Sequence, residues 1–264
     1  MPLPTLDLLR VLSLFLALLL ALSLEHFLPH ARLARPLRTN LGLWLVDSLV
    51  MRVVCGACGF VLAAWCEARG FGVLHALAAP AWLALPLGVI ALDAVSYFWH
   101  RANHRVSWLW RFHRVHHADR AFQATTALRF HPGELLLALP LRLVAIAAFG
   151  LSPLGVLVFE IVFGAMNLLV HGNFDLPRRV ERTLARVLVT PALHRLHHAR
   201  DMRDLNSNFG TILSLWDRWL STLRDSSSSA RFETGLPGES GEREMTLARA
   251  IASPFARGSR PRAQ

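Results

Sequence analysis

Residues 100–104 read HRANH, residues 113–117 read HRVHH, and residues 194–198 read HRLHH. We call these the first, second and third histidine boxes. They hold eight of the 13 histidines of the chain, at spacings of three and four residues. On a helix these spacings place side chains one turn apart on one face, as two imidazoles require in order to share a metal ion. The boxes therefore predict helices arranged around a metal site.

The composition predicts an integral membrane protein. Hydrophobic residues make up 53% of the 264-residue chain, and the mean hydropathy is +0.38. The apolar residues are concentrated in runs of about 20, and at 1.5 Å of rise per residue such a run spans the hydrocarbon core of a bilayer. We predict an all-α polytopic fold with about four or five transmembrane helices.

The apolar runs and the arginine-rich loops together predict the topology. The runs cover residues 8–28, 41–65, 73–99 and 135–170, and the last is broken near Gly150-Leu151-Ser152-Pro153. The second and third runs form one hairpin, and the last stretch forms either a second hairpin or a shallower re-entrant pair. Both hairpins return the chain to the face that carries Arg32, Arg35, Arg38, Arg101, Arg105, Arg178 and Arg179. By the positive-inside rule, we predict that this face is the cytoplasmic face of a bacterial inner membrane. All three boxes are then expected on the cytoplasmic face.

The charge and the cysteines exclude other classes. The formal net charge is +10, and all 28 basic residues are arginines that flank apolar runs instead of lining a soluble face, which disfavours nucleic-acid binding. Cys55, Cys58 and Cys66 lie in or beside an apolar run, where thiolates are costly, so we interpret them as packing residues. We divide the chain into an N-terminal transmembrane region (1–84), a histidine-box catalytic region (85–224) and a flexible basic tail (225–264) with at most one short helix near 243–252.

The number of histidines favours two metal ions. Isolated histidines such as His26, His30 and His75 are more often satisfied polar residues than ligands, whereas eight imidazoles at one membrane face have little structural purpose without a metal. Imidazole suits zinc, copper, iron and nickel alike. A structural zinc takes four ligands and a catalytic zinc about three, so eight or more histidines fit two ions with four or five nitrogens each. Open positions would remain for oxygen or water, which favours dioxygen activation on a lipid.

The boxes and their flanking residues resemble those of the sterol desaturase and fatty acid hydroxylase superfamily of membrane di-iron oxygenases. The family's boxes run H-x-x-x-H, H-x-x-H-H and H-x-x-H-H. The resemblance covers about residues 85–222 in the family's order. It includes the lead-in D-x-x-x-Y-x-x-H-R-x-x-H from Asp93 to His104, R-x-H-P-x-E from Arg129 to Glu134, H-x-N at His171, and N-F-G…W-D-R from Asn208 to Arg218.

The resemblance implies the metal ligands. It implies that two irons are bound by His100, His104, His113, His116, His117, His194, His197 and His198, with His171 as a ninth ligand and His131 as a tenth. Fatty-acid 2-hydroxylases of the superfamily carry a further histidine at the position of Asn167, which disfavours that activity here. A ligating imidazole usually donates a hydrogen bond from its second nitrogen to a carboxylate or carbonyl. The candidate acceptors are Asp93, Asp119, Glu134, Asp201, Asn208 and Asp217.

The resemblance also implies the chemistry and the partners. Two irons activate dioxygen for hydroxylation or desaturation of an unactivated C–H bond in a lipid that enters from the bilayer. The sequence carries no flavin or nicotinamide fingerprint and no haem-binding domain, so a separate reductase, ferredoxin or cytochrome must supply electrons. Sterol-like, hopanoid, carotenoid, alkylglycerol and acyl substrates all remain open.

Two other interpretations remain. A metal transport or storage protein could use the histidines as an ion relay, but a transport path places ionisable ligands in the middle of spans. Here the boxes lie at span ends, and the few charges within the runs include Asp47, Arg52, Asp93, Arg142 and Glu160. An inactive relative with a structural role is disfavoured by the intact boxes.

Overall fold

The computed structural model describes residues 2–31, 37–225, 233–236 and 245–256. The long helices are α1 (Leu3–Phe27), α2 (Leu37–Val54), α3 (Cys58–Arg69), α5 (Ala81–Arg105), α6 (Ser107–His117), α7 (Pro132–Phe149) and α8 (Pro153–Val170). The short ones are α4 (Val73–Ala76), α9 (Arg178–Leu184), α10 (Pro191–His197), α11 (Met202–Leu205), α12 (Leu215–Trp219) and α13 (Leu247–Ala252). Two 3₁₀ turns lie at Ala124–Leu128 and Ser253–Phe255. Within these ranges β structure is limited to isolated bridges, so the all-α prediction is confirmed.

Four helices are long and apolar enough to cross a membrane, namely α1, α5, α7 and α8. A fifth candidate is the bent unit formed by α2 with Cys58–Ala76, whose two parts meet at 43°. These lengths confirm the prediction of four or five transmembrane helices.

The second apolar run, predicted as one span over 41–65, is not one straight helix. The helix ends at Val54, Gly56 adopts a left-handed backbone with φ +48°, and α3 begins at Cys58. Glycine adopts positive φ without a steric penalty, so Gly56 provides the break. The third run is also divided, because Pro80 precedes α5 and only the short α4 forms before it.

The break predicted near residues 150–153 is a tight turn between α7 and α8. Gly150 has φ +70°, and Leu151 N–H donates to the Ile146 carbonyl, which ends α7. The Ser152 side chain accepts from Gly155 N–H, and Pro153 opens α8. The two helices therefore form the second hairpin predicted from the sequence.

The apolar core holds the spans in place. Leu6, Phe60, Leu92, Ile146 and Phe159, from five different helices, belong to one buried cluster. Close approach between α8 and α1 occurs at Gly164, where an added Cβ would lie 2.2 Å from the Leu14 side chain. The packing aligns α5, α7 and α8 so that one end of each meets at the histidines.

The C-terminal part of the chain contributes α13, which falls within the range predicted for a short helix. It packs against α2, since the Leu247 side chain lies against Gly42 and Thr39 Oγ1 donates to the Met245 carbonyl at 3.0 Å. The flexible tail expected from about residue 225 otherwise lies largely outside the described residues.

Candidate metal centre

Four helix ends supply the predicted ligands. The first box forms the last turn of α5 and the second box forms the last turn of α6. The third box lies on α10, which His198 terminates, and His171 terminates α8. The break at Val106 turns α6 back against α5, and the second hairpin returns His171 to the same place.

The nine histidines lie in two groups. In each group the candidate ligand nitrogens lie within 4.8 Å of one another. The five-histidine group comprises His100, His104, His113, His117 and His197, and the four-histidine group comprises His116, His171, His194 and His198. This division matches the expectation of four or five nitrogens for each of two ions.

The adjacent histidines of the second and third boxes belong to different groups. His116 joins the four-histidine group and His117 the five-histidine group, while His197 and His198 divide in the opposite order. Consecutive side chains on a helix are separated by about 100°, so two adjacent histidines point to different groups. Pairs four residues apart, such as His100 and His104, point to one centre.

Ring nitrogens within each group face one another at short distances. The Nε2 atom of His171 lies 3.0 Å from Nε2 of His116 and 3.0 Å from Nε2 of His194. In the other group, Nε2 of His117 lies 3.2 Å from Nε2 of His113. Nitrogens that converge in this way offer several lone pairs to one point.

Four of the rings are oriented by a hydrogen bond from Nδ1. His100 donates to the Phe209 carbonyl at 2.8 Å, His171 to the Asn167 carbonyl at 2.6 Å, and His197 to the Ser207 carbonyl at 2.7 Å. His113 Nδ1 lies 2.9 Å from Glu134 Oε1, which also accepts from Asn103 Nδ2. A proton held on Nδ1 leaves Nε2 as the free lone pair, the usual arrangement of a metal-binding histidine.

The remaining nitrogens show that the site fits a metal. Among the described residues, Nε2 of His100 and of His197 and both ring nitrogens of His104 and His198 are buried without a hydrogen-bond partner. Buried polar atoms without partners cost free energy. Two ions bound within the two groups would satisfy one nitrogen of each of these four rings.

Burial favours the neutral form of six of the grouped histidines outside the spans. Desolvation, followed by repulsion from neighbouring histidines, lowers the pKa values of His116, His117, His194 and His198 well below the ordinary value. Desolvation lowers the pKa of His171 to about 4 and that of His197 to about 3. Neutral imidazole is the form that binds metal ions.

The predicted carboxylate partners have different roles. Only Glu134 contacts a ring of the two groups directly. Asp217 accepts from Phe209 N–H and Gly210 N–H, both at 2.8 Å, and so holds the loop whose carbonyl binds His100. Asp93 accepts from Ile212 N–H and Trp216 Nε1, and thus serves a neighbouring segment.

The other predicted partners form hydrogen bonds with groups other than the rings. Asp119 accepts from Asn40 and Thr126, and Asp201 accepts from Arg203 N–H at the start of α11. Asn208 donates to the Leu193 carbonyl and links the third-box helix to the following loop.

The structure does not bring His131 into either group, and this corrects its predicted role as a metal ligand. Its Nδ1 accepts from Gly133 N–H at 2.9 Å and caps α7, while Nε2 lies 3.1 Å from the Ile251 carbonyl. Both ring nitrogens are therefore engaged, and the nitrogen that receives a proton from the backbone cannot also bind a metal.

The third box is tethered by Arg195. Arg195 is 7% exposed, and its side chain donates to Asp175 at 3.0 Å and to the Phe174 carbonyl at 2.7 Å. Thr190 caps the first turn of α10. These contacts attach α10 to the segment that follows His171, so the third box and His171 are held as one unit.

A cavity of about 190 Å³ opens beside both groups. His100 and His113 line it from one group, and His116, His171 and His194 line it from the other. Its remaining walls come mainly from α5, α7 and α8 and are largely apolar. Leu141, which is 40% exposed, also lines it, so the cavity reaches the outer surface of the helices.

Sequence reasoning missed several residues that orient the site. Asn103, inside the first box, is buried and donates to Glu134. The carbonyls of Ser207, Phe209 and Asn167 carry no sequence signal, because any residue presents a carbonyl. Asn167 also donates from its side chain to the Ala127 carbonyl and lines the cavity.

Two comparisons relate the sequence of this chain to known proteins. Residues 85–222 match the family model described as fatty acid hydroxylase. An ornithine lipid hydroxylase of Rhizobium tropici is 30% identical over 177 residues, which cover 66% of this chain and 51% of that protein. A cholesterol 25-hydroxylase of Rattus norvegicus is 30% identical over 149 residues, which cover 56% and 49% of the two chains.

An alkylglycerol monooxygenase of Danio rerio is 29% identical over 145 residues, which cover 52% of this chain and 29% of that protein. The chain thus spans about half the length, or less, of these curated relatives. No solved structure matches it. Because the family match covers more than half of the chain and includes the eight box histidines and His171, the chain belongs to the fatty acid hydroxylase family.

Proposed function

We propose that this protein is a membrane lipid hydroxylase that binds two iron ions and uses dioxygen. One observation carries the proposal: nine histidines form a group of five and a group of four at the end of an apolar cavity between candidate spans. The names of the three relatives, two hydroxylases and a monooxygenase that act on lipids, support it.

The donor set suits iron. Imidazole is a ligand of iron, and four or five nitrogens leave open positions on an ion that prefers six-coordination. When bound, the irons would supply dioxygen activation and oxygen insertion into a C–H bond, or the removal of two hydrogens in a desaturation. Glu134 and the carbonyls of Phe209, Asn167 and Ser207 orient the rings, so the site is preorganised before the ions arrive.

The cavity positions the substrate. Its apolar walls accommodate an alkyl or ring segment and exclude water, which protects a reactive site from side reactions. We propose that the lipid enters from the bilayer beside α7 and that electrons come from a separate reductase, ferredoxin or cytochrome. The arginine-rich loops on the histidine side support a cytoplasmic location of the site.

The test compares lipid extracts of cells with and without the protein by mass spectrometry. We expect a lipid to gain one oxygen, or to lose two hydrogens, and the purified protein to contain about two irons per chain. His197→Ala is expected to abolish the lipid change, since His197 belongs to the five-histidine group. His26→Ala is the matched control, because His26 is exposed at the end of α1.

Two results would contradict the proposal. Purified protein without iron, together with a lipid change that persists in His197→Ala, would exclude an iron-dependent site. Iron binding without any lipid change in expressing cells would favour metal storage instead.

A further inference from the structure

Four charged side chains from three candidate spans lie together on the side of the cavity away from the histidines. We call Asp7, Arg10, Arg142 and Glu160 the far-end cluster. Arg10 pairs with Asp7 at 2.9 Å and with Glu160 at 3.0 Å, and Arg142 Nη1 lies 3.6 Å from Glu160 Oε1. Ionisable residues within spans are costly and commonly mark functional sites.

Arg142 lies at a defined depth from the histidines. It follows Glu134 by eight residues in α7, and a rise of 1.5 Å per residue separates them by about 12 Å along the helix. Both residues line the cavity. Apolar side chains line the wall between them, including Leu92, Val95, Leu135, Leu139 and Phe163. The cavity therefore has imidazoles at one end, a guanidinium at the other and apolar walls between.

Arg142 is the less compensated arginine of the cluster. Glu160 makes its short contact with Arg10, and the 3.6 Å separation from Arg142 exceeds a hydrogen bond. The guanidinium of Arg142 also packs 5.4 Å from the ring centroid of Phe159. No hydrogen bond from its donors is found among the described residues. Five N–H donors in a planar fork suit the paired oxygens of a carboxylate or phosphate.

We infer that Arg142 anchors the anionic oxygen group of the lipid substrate, an inference that rests on the proposed function of the histidine site. The apolar segment of the lipid lies along the cavity wall, and a C–H bond about 12 Å from the anionic group reaches the histidines. The substrate is thus an acidic amphiphile with a carboxylate or phosphate end, and Arg142 determines which carbon reacts.

The first experiment uses the wild-type holoprotein in neutral detergent with three radiolabelled probes: palmitic acid, hexadecyl phosphate and methyl palmitate. A charge-assisted hydrogen bond predicts that at least one anionic probe binds about tenfold or more tightly than the ester. The tighter of the two anionic probes identifies the group as carboxylate or phosphate. Equal binding of all three probes would overturn the inference without any variant.

Variants then assign the preference to Arg142. Arg142→Gln is expected to weaken binding of the anionic probe about tenfold or more and to leave the ester within about twofold. Glu160→Gln removes the nearest competing carboxylate and is expected to tighten anionic binding, which a purely structural role of the cluster does not predict. Arg69→Gln, at the exposed end of α3 and outside the cavity lining, is the control and should keep the wild-type preference.

An Arg142→Gln protein that keeps the full preference for the anionic probe overturns the inference. If that variant fails to fold, Arg142→Lys replaces it, and we expect a weaker but persistent preference because the charge stays and the planar fork is lost. Binding needs no turnover, so these results are independent of the lipid-extract test. A failure of the anchor leaves the proposed hydroxylase untouched, and a failure of the hydroxylase leaves the binding result standing.

Discussion

Glu134 connects the helix that lines the cavity to a ring of the five-histidine group. It lies in the first turn of α7, is 4% exposed, and accepts from His113 Nδ1 and Asn103 Nδ2 through the same oxygen. Its second oxygen has no hydrogen-bond partner among the described residues. The carboxylate thus contacts the candidate site through the ring of His113.

Replacement of this carboxylate should loosen one metal site. Glu134→Gln keeps the size of the side chain but removes the charge that fixes the ring of His113. We expect metal affinity in the five-histidine group to fall about 10- to 100-fold. Iron analysis of protein dialysed against graded chelator measures the loss. Glu67→Gln, at an exposed position in α3, should match wild type, and equal iron retention by Glu134→Gln would refute the positioning role.

The histidines of the two groups could be predicted from the sequence, whereas most of the hydrogen-bond partners of their rings could not. Spacings of three and four residues imply a shared helix face, so the box histidines could be recognised from the sequence as one set. His171 and Glu134 were predicted from the resemblance to the family. His131 stands in a similar motif, yet its ring caps a helix and bonds the Ile251 carbonyl, 120 residues away in sequence. A local pattern cannot reveal a contact made by a distant backbone.

At the scale of elements, two glycines fix the turn between α7 and α8 against the turn before α4. Gly150 and Gly72 have φ +70° and +106°, and a Cβ on Gly150 would lie 2.2 Å from the Phe71 carbonyl oxygen. A Cβ on Gly72 would lie 2.3 Å from the Gly150 backbone. The two loops therefore pack backbone against backbone.

Gly150→Ala should destabilise the helix bundle. A left-handed backbone costs a non-glycine residue about 1–2 kcal/mol, and the overlap with Phe71 adds to it. We expect the free energy of unfolding in detergent to fall by more than about 2 kcal/mol. Gly70→Ala is the control, because Gly70 has φ +58° and no atom near its added Cβ, so it should show the backbone cost alone. Equal losses in the two variants would mean that the close approach contributes nothing.

Element boundaries were predictable where proline and glycine mark them, as at Gly150 to Pro153. The break inside the second run was not predicted, because one glycine in an apolar stretch is compatible with a continuous helix. The 43° bend depends on how α2 and α3 pack against α7, and the periodicity of apolar residues in the sequence carries no information about that packing.

At the scale of the whole molecule, the helix directions place Arg105 and Arg69 at opposite ends of the bundle. Arg105 ends α5 beside the first box, and Arg69 ends α3 near the turn that packs on Gly150. The arginine distribution predicts that the Arg105 side faces the cytoplasm.

Cysteine labelling tests this topology. In a background with Cys55, Cys58 and Cys66 replaced by alanine, Arg105→Cys should react with a membrane-impermeant thiol reagent only in inverted vesicles. Arg69→Cys should react only in intact spheroplasts and serves as the reciprocal control. The reverse pattern would place the histidines on the external face.

The division of the adjacent histidines has a consequence for how the two centres are spaced. His116 and His117, and likewise His197 and His198, serve different groups although roughly 3.8 Å separates their Cα atoms. The two centres are thereby linked by single peptide units, which are far stiffer than any side-chain contact between helices. The two groups are thus joined covalently at two points, which limits how far one can move from the other.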